Sequence, residues 1–87
     1  MSTQEVERRV AHAVLRLAAK AGRPEAQGTR IDFPITRQDI AEMTGTTLHT
    51  VSRLLSAWEG LGLVEGGRQK LTICDAEGLA RIADPEI

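Results

Sequence analysis

Residues 36–60 read TRQDIAEMTGTTLHTVSRLLSAWEG, and they decide the fold of this chain. Thr36 is a favourable N-cap for a short helix, because its hydroxyl can accept a hydrogen bond from the first turn. Gly45 stands where that helix would end, and glycine is the usual residue for the left-handed conformation found there. Either Thr46 or Thr47 can cap the next helix. The stretch therefore predicts two helices joined by a tight turn.

The second of these helices has two distinct faces. Its apolar side chains share one face at three- and four-residue steps: Val51, Leu54, Leu55 and Trp58. Polar side chains follow the same spacing on another face: His49, Ser52, Arg53 and Ser56. We expect this helix to reach about Glu59 and to be closed by Gly60 and Gly62. The buried side of the first helix is expected to come from three residues: Ile40, Ala41 and Met43.

Upstream of this pair, residues 3–21 repeat apolar side chains at the helical period, which predicts a long helix with one apolar face. Residues 22–30, GRPEAQGTR, have the composition of a polar loop. Residues 31–35, IDFPI, alternate apolar and polar and could form a short strand. Pro34 has no N–H to donate, so that strand would lie at a sheet edge.

Downstream, residues 63–73 read as strand, turn and strand, with Gly66 and Gly67 at the bend. Cys74 ends the second apolar strand pattern, and we expect it to be buried as a small apolar residue. Asp75 is then an N-cap for a last short helix. The apolar side of that helix is formed by Leu79, Ile82 and Ala83.

Charge is distributed unevenly along the chain. The 87 residues, enough for one domain, carry a formal net charge of −1, so bulk charge does not support nucleic-acid binding. Residues 1–74 nevertheless hold ten Lys and Arg against eight Asp and Glu, whereas residues 75–87 hold one against four. An acidic tail therefore masks a mildly basic body.

Several classes of protein are disfavoured by what the sequence lacks. Cys74 is the single cysteine, so neither an internal disulfide nor a Cys-rich metal cluster is expected, which fits a cytoplasmic protein. No apolar run approaches a membrane span of about 20 residues, and the charged N-terminus is unlike a signal peptide. We find no phosphate-binding glycine loop, no nucleophile with a base and no metal spacing. The sequence thus predicts a protein that is not an enzyme and that has no cofactor or metal.

The order of elements predicts the architecture. A helix pair with a glycine turn, followed by a two-stranded hairpin, is typical of an α+β, mainly α winged helix-turn-helix. It would have a three-helix core, a small β-hairpin wing and a short C-terminal helix. A helix that packs one face on the core presents the other outward. The major groove of DNA is wide enough to admit one such helix.

Four ordered motifs strengthen this interpretation: ITRQDIA at 35–41, Gly45 of the turn, TVSR at 50–53 and GLVE at 62–65. Together they closely resemble the DNA-binding half of the Crp/Fnr transcription regulators, the relatives of the cyclic-AMP receptor protein. The resemblance covers about residues 5–84. It implies a sequence-specific DNA-reading domain, with a recognition helix at about 47–59 in the major groove and a wing at about 64–74 on the DNA backbone.

The candidate base contacts lie on the recognition helix: Leu48, His49, Ser52 and Arg53. The resemblance places Arg53 at the family's base-contacting arginine, and a guanidinium matches the O6 and N7 acceptors of guanine. Ser52 could touch a base edge or a thymine methyl, or be only a small surface residue. Leu48 and His49 depart from the family pattern, which often has Glu where His49 stands. Leu48 offers apolar contact only, so familiar target sequences of the family are not transferred to this chain.

Candidate contacts to the DNA backbone are more widely spread: Thr36, Arg37, Gln38, Thr47, Thr50, Arg68 and Lys70. The first three open the helix before the turn, where backbone N–H groups can meet a phosphate. Thr47 could equally serve as a helix cap only. The basic wing tip could equally be a charged hairpin that stays soluble.

The resemblance implies double-stranded DNA as the ligand, RNA polymerase as a further partner, and no membrane. Family members also have a sensor barrel and a dimerisation helix, which do not fit within residues 1–87. We therefore expect a single domain, excised or naturally short, that is dimeric in the full-length regulator and could be monomeric alone. One alternative stays open: a winged helix that binds another protein and not DNA, as the acidic tail and Leu48 would allow.

Overall fold

The computed structural model describes residues 3–26, 28–31, 36–67 and 70–84. In this part of the chain there are four helices: α1 (Thr3–Ala21), α2 (Arg37–Thr44), α3 (Leu48–Gly60) and α4 (Ala76–Ala83). There are also four strands: β1 (Gly22–Glu25), β2 (Gly28–Ile31), β3 (Val64–Gly67) and β4 (Lys70–Ile73). The strands form one antiparallel sheet in the order β1-β2-β4-β3. The α+β class and the winged helix-turn-helix arrangement are confirmed.

The core lies between α1, the buried face of α3, the sheet and α4. Trp58 is fully buried on α3, and its indole N–H donates to Glu7 Oε2 of α1 at 3.2 Å. Val51 and Leu55 extend the same buried face, whereas Leu54 is only half-buried. The long first helix and the short last helix agree with the prediction, and Asp75 caps α4 by accepting from Gly78 N at 3.0 Å.

The prediction of a polar loop at 22–30 is wrong, because most of these residues form the β1–β2 hairpin. β2 begins at Gly28, earlier than the predicted strand at 31–35, of which residues 32–35 lie outside the described residues. Neither GRPE nor GTRI has an apolar alternation. What makes β2 a strand is its pairing with β4, in which Thr29 faces Ile73 and Ile31 faces Leu71.

The bend of the wing also falls elsewhere than predicted. Gly66 and Gly67 are strand residues that face Leu71 and Lys70 across the β3–β4 ladder. Residues 68–69, between the two strands, lie outside the described part of the chain. Because Leu71 and Ile73 are buried, the register of β4 is held by the core.

Two side chains expected to be buried are exposed. Met43 is 52% exposed, and Thr44 takes the inward position, where its hydroxyl donates to Ile40 O at 2.7 Å. At roughly 100° per residue, the side chain of Met43 points outside the arc of the helix that is covered by Ile40, Ala41 and Thr44. Cys74 is exposed because alternate strand residues point to opposite faces, and Leu71 and Ile73 point inward.

The exposure of Cys74 has a direct chemical consequence. We expect a water-soluble aromatic disulfide reagent to modify its thiol in the folded protein, since the side chain is reachable without unfolding. The measurement is the absorbance of the released aromatic thiolate, which should reach one equivalent per chain without denaturant. A reaction that starts only in urea would contradict the exposed position.

Candidate nucleic-acid interface

The helix before the turn is fixed at both ends by local hydrogen bonds. Thr36 Oγ1 accepts from Asp39 N at 3.1 Å, and Thr36 N donates to Asp39 Oδ2 at 3.0 Å, which is a complete capping box. At the other end, Gly45 is left-handed with φ 71°. Its N–H bonds to Ala41 O, and Thr46 N donates to the same oxygen at 3.0 Å. These bonds set the direction in which the chain enters α3.

The start of α3 is capped by Thr47 rather than by Thr46. Thr47 Oγ1 accepts from Thr50 N at 3.2 Å and donates to Thr50 Oγ1 at 2.9 Å. Because the Thr50 hydroxyl accepts this bond, its own hydrogen remains available to another acceptor. Of the two threonines near the start of α3 that are predicted to contact phosphate, Thr47 is thus engaged in capping and Thr50 keeps a donor.

The four predicted base-contacting residues lie in the first two turns of α3. Leu48, His49 and Arg53 are exposed, and Ser52 is half-buried. Arg53 forms no hydrogen bond or ion pair with the described part of the chain. The opposite side of α3 is anchored by fully buried Trp58 and Val51. The guanidinium of Arg53 is therefore presented to solvent from a helix that cannot easily rotate.

The side chains at the start of α2 are exposed, but two of them already have partners. Thr36 is occupied by its cap, and Gln38 Nε2 donates to Glu42 Oε2 at 3.2 Å. Arg37 points toward the wing: its Nη2 lies 3.8 Å from the position that a Cβ at Gly66 would take. The structure therefore brings Arg37 of α2 close to Gly66 of β3.

The wing is described only in part. Lys70 is the first residue of β4, and Arg68 lies outside the described residues. The carboxylate of Glu59, at the end of α3, lies 2.6 Å from the position of a Cβ at Gly66. An acidic group thus stands beside Arg37 at the base of the wing, which the sequence did not indicate.

Two further residues of α1 position the helix pair and were not singled out from the sequence. Arg9 Nε donates to Thr44 O at 3.2 Å, which joins α1 to the last carbonyl of α2 just before the turn. Glu7 accepts from Trp58 on the buried back of α3. Both are charged residues on a long amphipathic helix, and such residues usually have no partner, so spacing alone carried no signal.

No helix in the described part of the chain is both long and apolar enough to cross a bilayer. The described residues also contain no group of three or more His, Cys, Asp or Glu side chains that could hold a metal ion.

Comparison with known proteins gives a consistent set of relatives. The chain is 32% identical over 79 residues to the CRP-like cAMP-activated global transcriptional regulator of Mycobacterium tuberculosis, covering 91% of this chain and 35% of that protein. It is 25% identical over 83 residues to the transcriptional activator protein FnrA of Stutzerimonas stutzeri, covering 95% and 34%. The chain thus spans about a third of the length of these curated relatives.

Solved structures agree with this. The CO-dependent transcription factor CooA from Carboxydothermus hydrogenoformans matches with a TM-score of 0.84 and 28% identity, over 90% of this chain and 36% of that one. The catabolite activator protein of Thermus thermophilus matches with a TM-score of 0.77 and 31% identity, over 97% and 36%. The model of the Crp-like helix-turn-helix domain matches residues 8–82. This chain therefore belongs to the family of Crp-like helix-turn-helix domains.

Proposed function

We propose that this chain binds double-stranded DNA sequence-specifically, as the reading head of a Crp/Fnr-type transcription regulator. The observation that carries the proposal is the state of Arg53, which is exposed on the front of α3 while Trp58 anchors the back. A charged side chain with no partner among the described residues, on a rigid and capped helix, can donate hydrogen bonds to an acceptor on another molecule. The relatives reported above are named as transcription regulators, which supports the same function.

In this proposal α3 lies in the major groove and Arg53 donates two parallel hydrogen bonds to guanine O6 and N7. Ser52 and His49 meet neighbouring base edges. Thr50 donates its free hydroxyl hydrogen to a phosphate, and Arg37 approaches the DNA backbone from beside β3. Thr36 and Thr47 would contribute by capping the helix ends, because their hydroxyls and the N–H of Thr36 are engaged. Gln38, whose side chain is bonded to Glu42, would contribute through its backbone N–H.

The wing would contribute phosphate contacts from Arg68 and Lys70, as the sequence predicts. In the full-length regulator, two copies related by a two-fold axis would place their α3 helices roughly 34 Å apart and read an inverted repeat. The proposal further includes RNA polymerase as a partner and the cytoplasm as the compartment. It includes no catalytic step.

The main test is the replacement of Arg53 by alanine. Duplexes bound by the 87-residue chain are first selected from a random pool at low salt, and affinities are then measured by fluorescence anisotropy. Loss of one bidentate guanine contact should weaken binding by about 1–3 kcal/mol and relax the preference at one base pair. The dependence of affinity on salt should keep its slope, since a base contact releases no counterion.

Arg81→Ala is the matched control, because it removes the same charge from an exposed position on α4, which packs against α1. It should leave both affinity and base preference unchanged. Absence of salt-sensitive binding to any duplex would exclude the proposal and favour a winged helix that binds protein. An Arg53→Ala variant that binds the selected duplex as tightly as the parent would remove the guanine contact from it.

A further inference from the structure

Leu48 is the first residue of α3, and 46% of it is exposed. It precedes His49 and lies one helical turn before Ser52, and in a helix-turn-helix the N-terminal residues of the recognition helix contact base edges. Residues 48–56 include this one large apolar side chain among the exposed positions. Leu48 is not one of the buried residues of α3, which are Val51, Leu55 and Trp58.

This part of α3 lacks an acidic group. Residues 48–56 contain no Asp or Glu, and the carboxylate of Glu59 lies beside Gly66 at the far end of α3. A carboxylate is the side chain that accepts from the N4 amino group of cytosine. The first two turns of α3 therefore favour apolar contact over cytosine recognition at the position that Leu48 faces.

We propose that Leu48 reads the C5-methyl group of a thymine, an inference that rests on the DNA binding proposed above. Among the four bases, thymine alone presents a methyl group in the major groove. Arg53 lies five residues further along α3, so we expect this thymine and the guanine contacted by Arg53 to belong to different base pairs.

The test removes only the methyl group. Each thymine of the selected duplex is replaced in turn by deoxyuridine, which keeps every hydrogen-bonding group of thymine. At one position, binding should weaken about fourfold, as expected for one methyl group withdrawn from an apolar contact. In Leu48→Ala the same replacement should cost nothing, because the leucine that covers the methyl is gone. The variant should fold, since Leu48 is half exposed and alanine favours a helix.

Leu61→Ala is the matched control, because Leu61 is 70% exposed and follows the other end of α3. It should retain the fourfold deoxyuridine effect. A second arm compares cytosine with 5-methylcytosine at the same position. The methyl should again improve binding, but thymine should bind better than 5-methylcytosine, because residues 48–56 offer no carboxylate to the amino group of 5-methylcytosine. The reverse order would assign the position to a methylated cytosine and overturn the thymine proposal.

A failure of the Leu48 proposal can be distinguished from a failure of the DNA-binding proposal. If deoxyuridine has no effect at any position while Arg53→Ala still weakens binding, the DNA-reading function stands and the role of Leu48 is wrong. The same holds if Leu48→Ala keeps the deoxyuridine penalty. If no duplex is bound in a salt-sensitive manner, both proposals are wrong.

Discussion

Replacing Trp58 by alanine is expected to lower the free energy of unfolding by about 3–5 kcal/mol, the usual cost of deleting a buried aromatic side chain. Trp58 is fully buried, and it is the largest side chain of the core. Its loss would leave a cavity behind α3 and would also leave Glu7 without its indole donor. Because a domain of this size has a small total stability, most of the variant should be unfolded or close to it.

The measurement is urea denaturation followed by far-ultraviolet circular dichroism, since the variant has no tryptophan to report by fluorescence. Trp58→Phe is the control that keeps most of the volume while losing the N–H donor, and it should cost much less. DNA binding should fall with the folded fraction of Trp58→Ala. An unchanged urea midpoint would show that α3 is held by something other than this side chain.

Gly28→Ala should have the second largest effect, a loss of about 2–4 kcal/mol, from backbone strain and overpacking together. Gly28 has φ 143°, a conformation that residues with a side chain rarely adopt. A Cβ there would also collide with the carbonyl oxygen of Ile73 and lie 3.0 Å from Cys74 Cα. Both are backbone atoms, one at the end of β4 and one in the residue that follows it, so they cannot move aside without disturbing the sheet.

Gly60→Ala provides the matched control for this variant. Gly60 is the last residue of α3, its φ is not positive, and a Cβ there would meet open space. Alanine should be neutral or stabilise by up to about 1 kcal/mol, because glycine is the poorer helix former. Thermal unfolding of the two variants and the parent measures the difference. Equal melting temperatures for Gly28→Ala and the parent would contradict the close contact between β2 and β4.

Features of the candidate site that depend on local spacing in the sequence could be predicted, whereas features that depend on long-range contacts could not. The outward position of Arg53 follows from a 3.6-residue period, because Trp58 and Val51 must face the core. The direction of Arg37 could not be predicted, since it depends on where β3 passes relative to α2. The hydrogen bond from Arg9 to the last carbonyl of α2 joins residues 35 positions apart, and no periodic pattern in the sequence indicates a contact over that separation.

By itself, the sequence determined the helices and the turn between them. Thr36, Gly45, Thr47 and Asp75 act through hydrogen bonds or backbone angles within a few residues, so their effect is visible in the chain order. Only the tertiary structure decided that β1 pairs with β2, that Met43 and Cys74 face solvent, and that Gly66 and Gly67 lie in a strand. The physical reason is that strand pairing and burial depend on a partner supplied from a distant part of the chain.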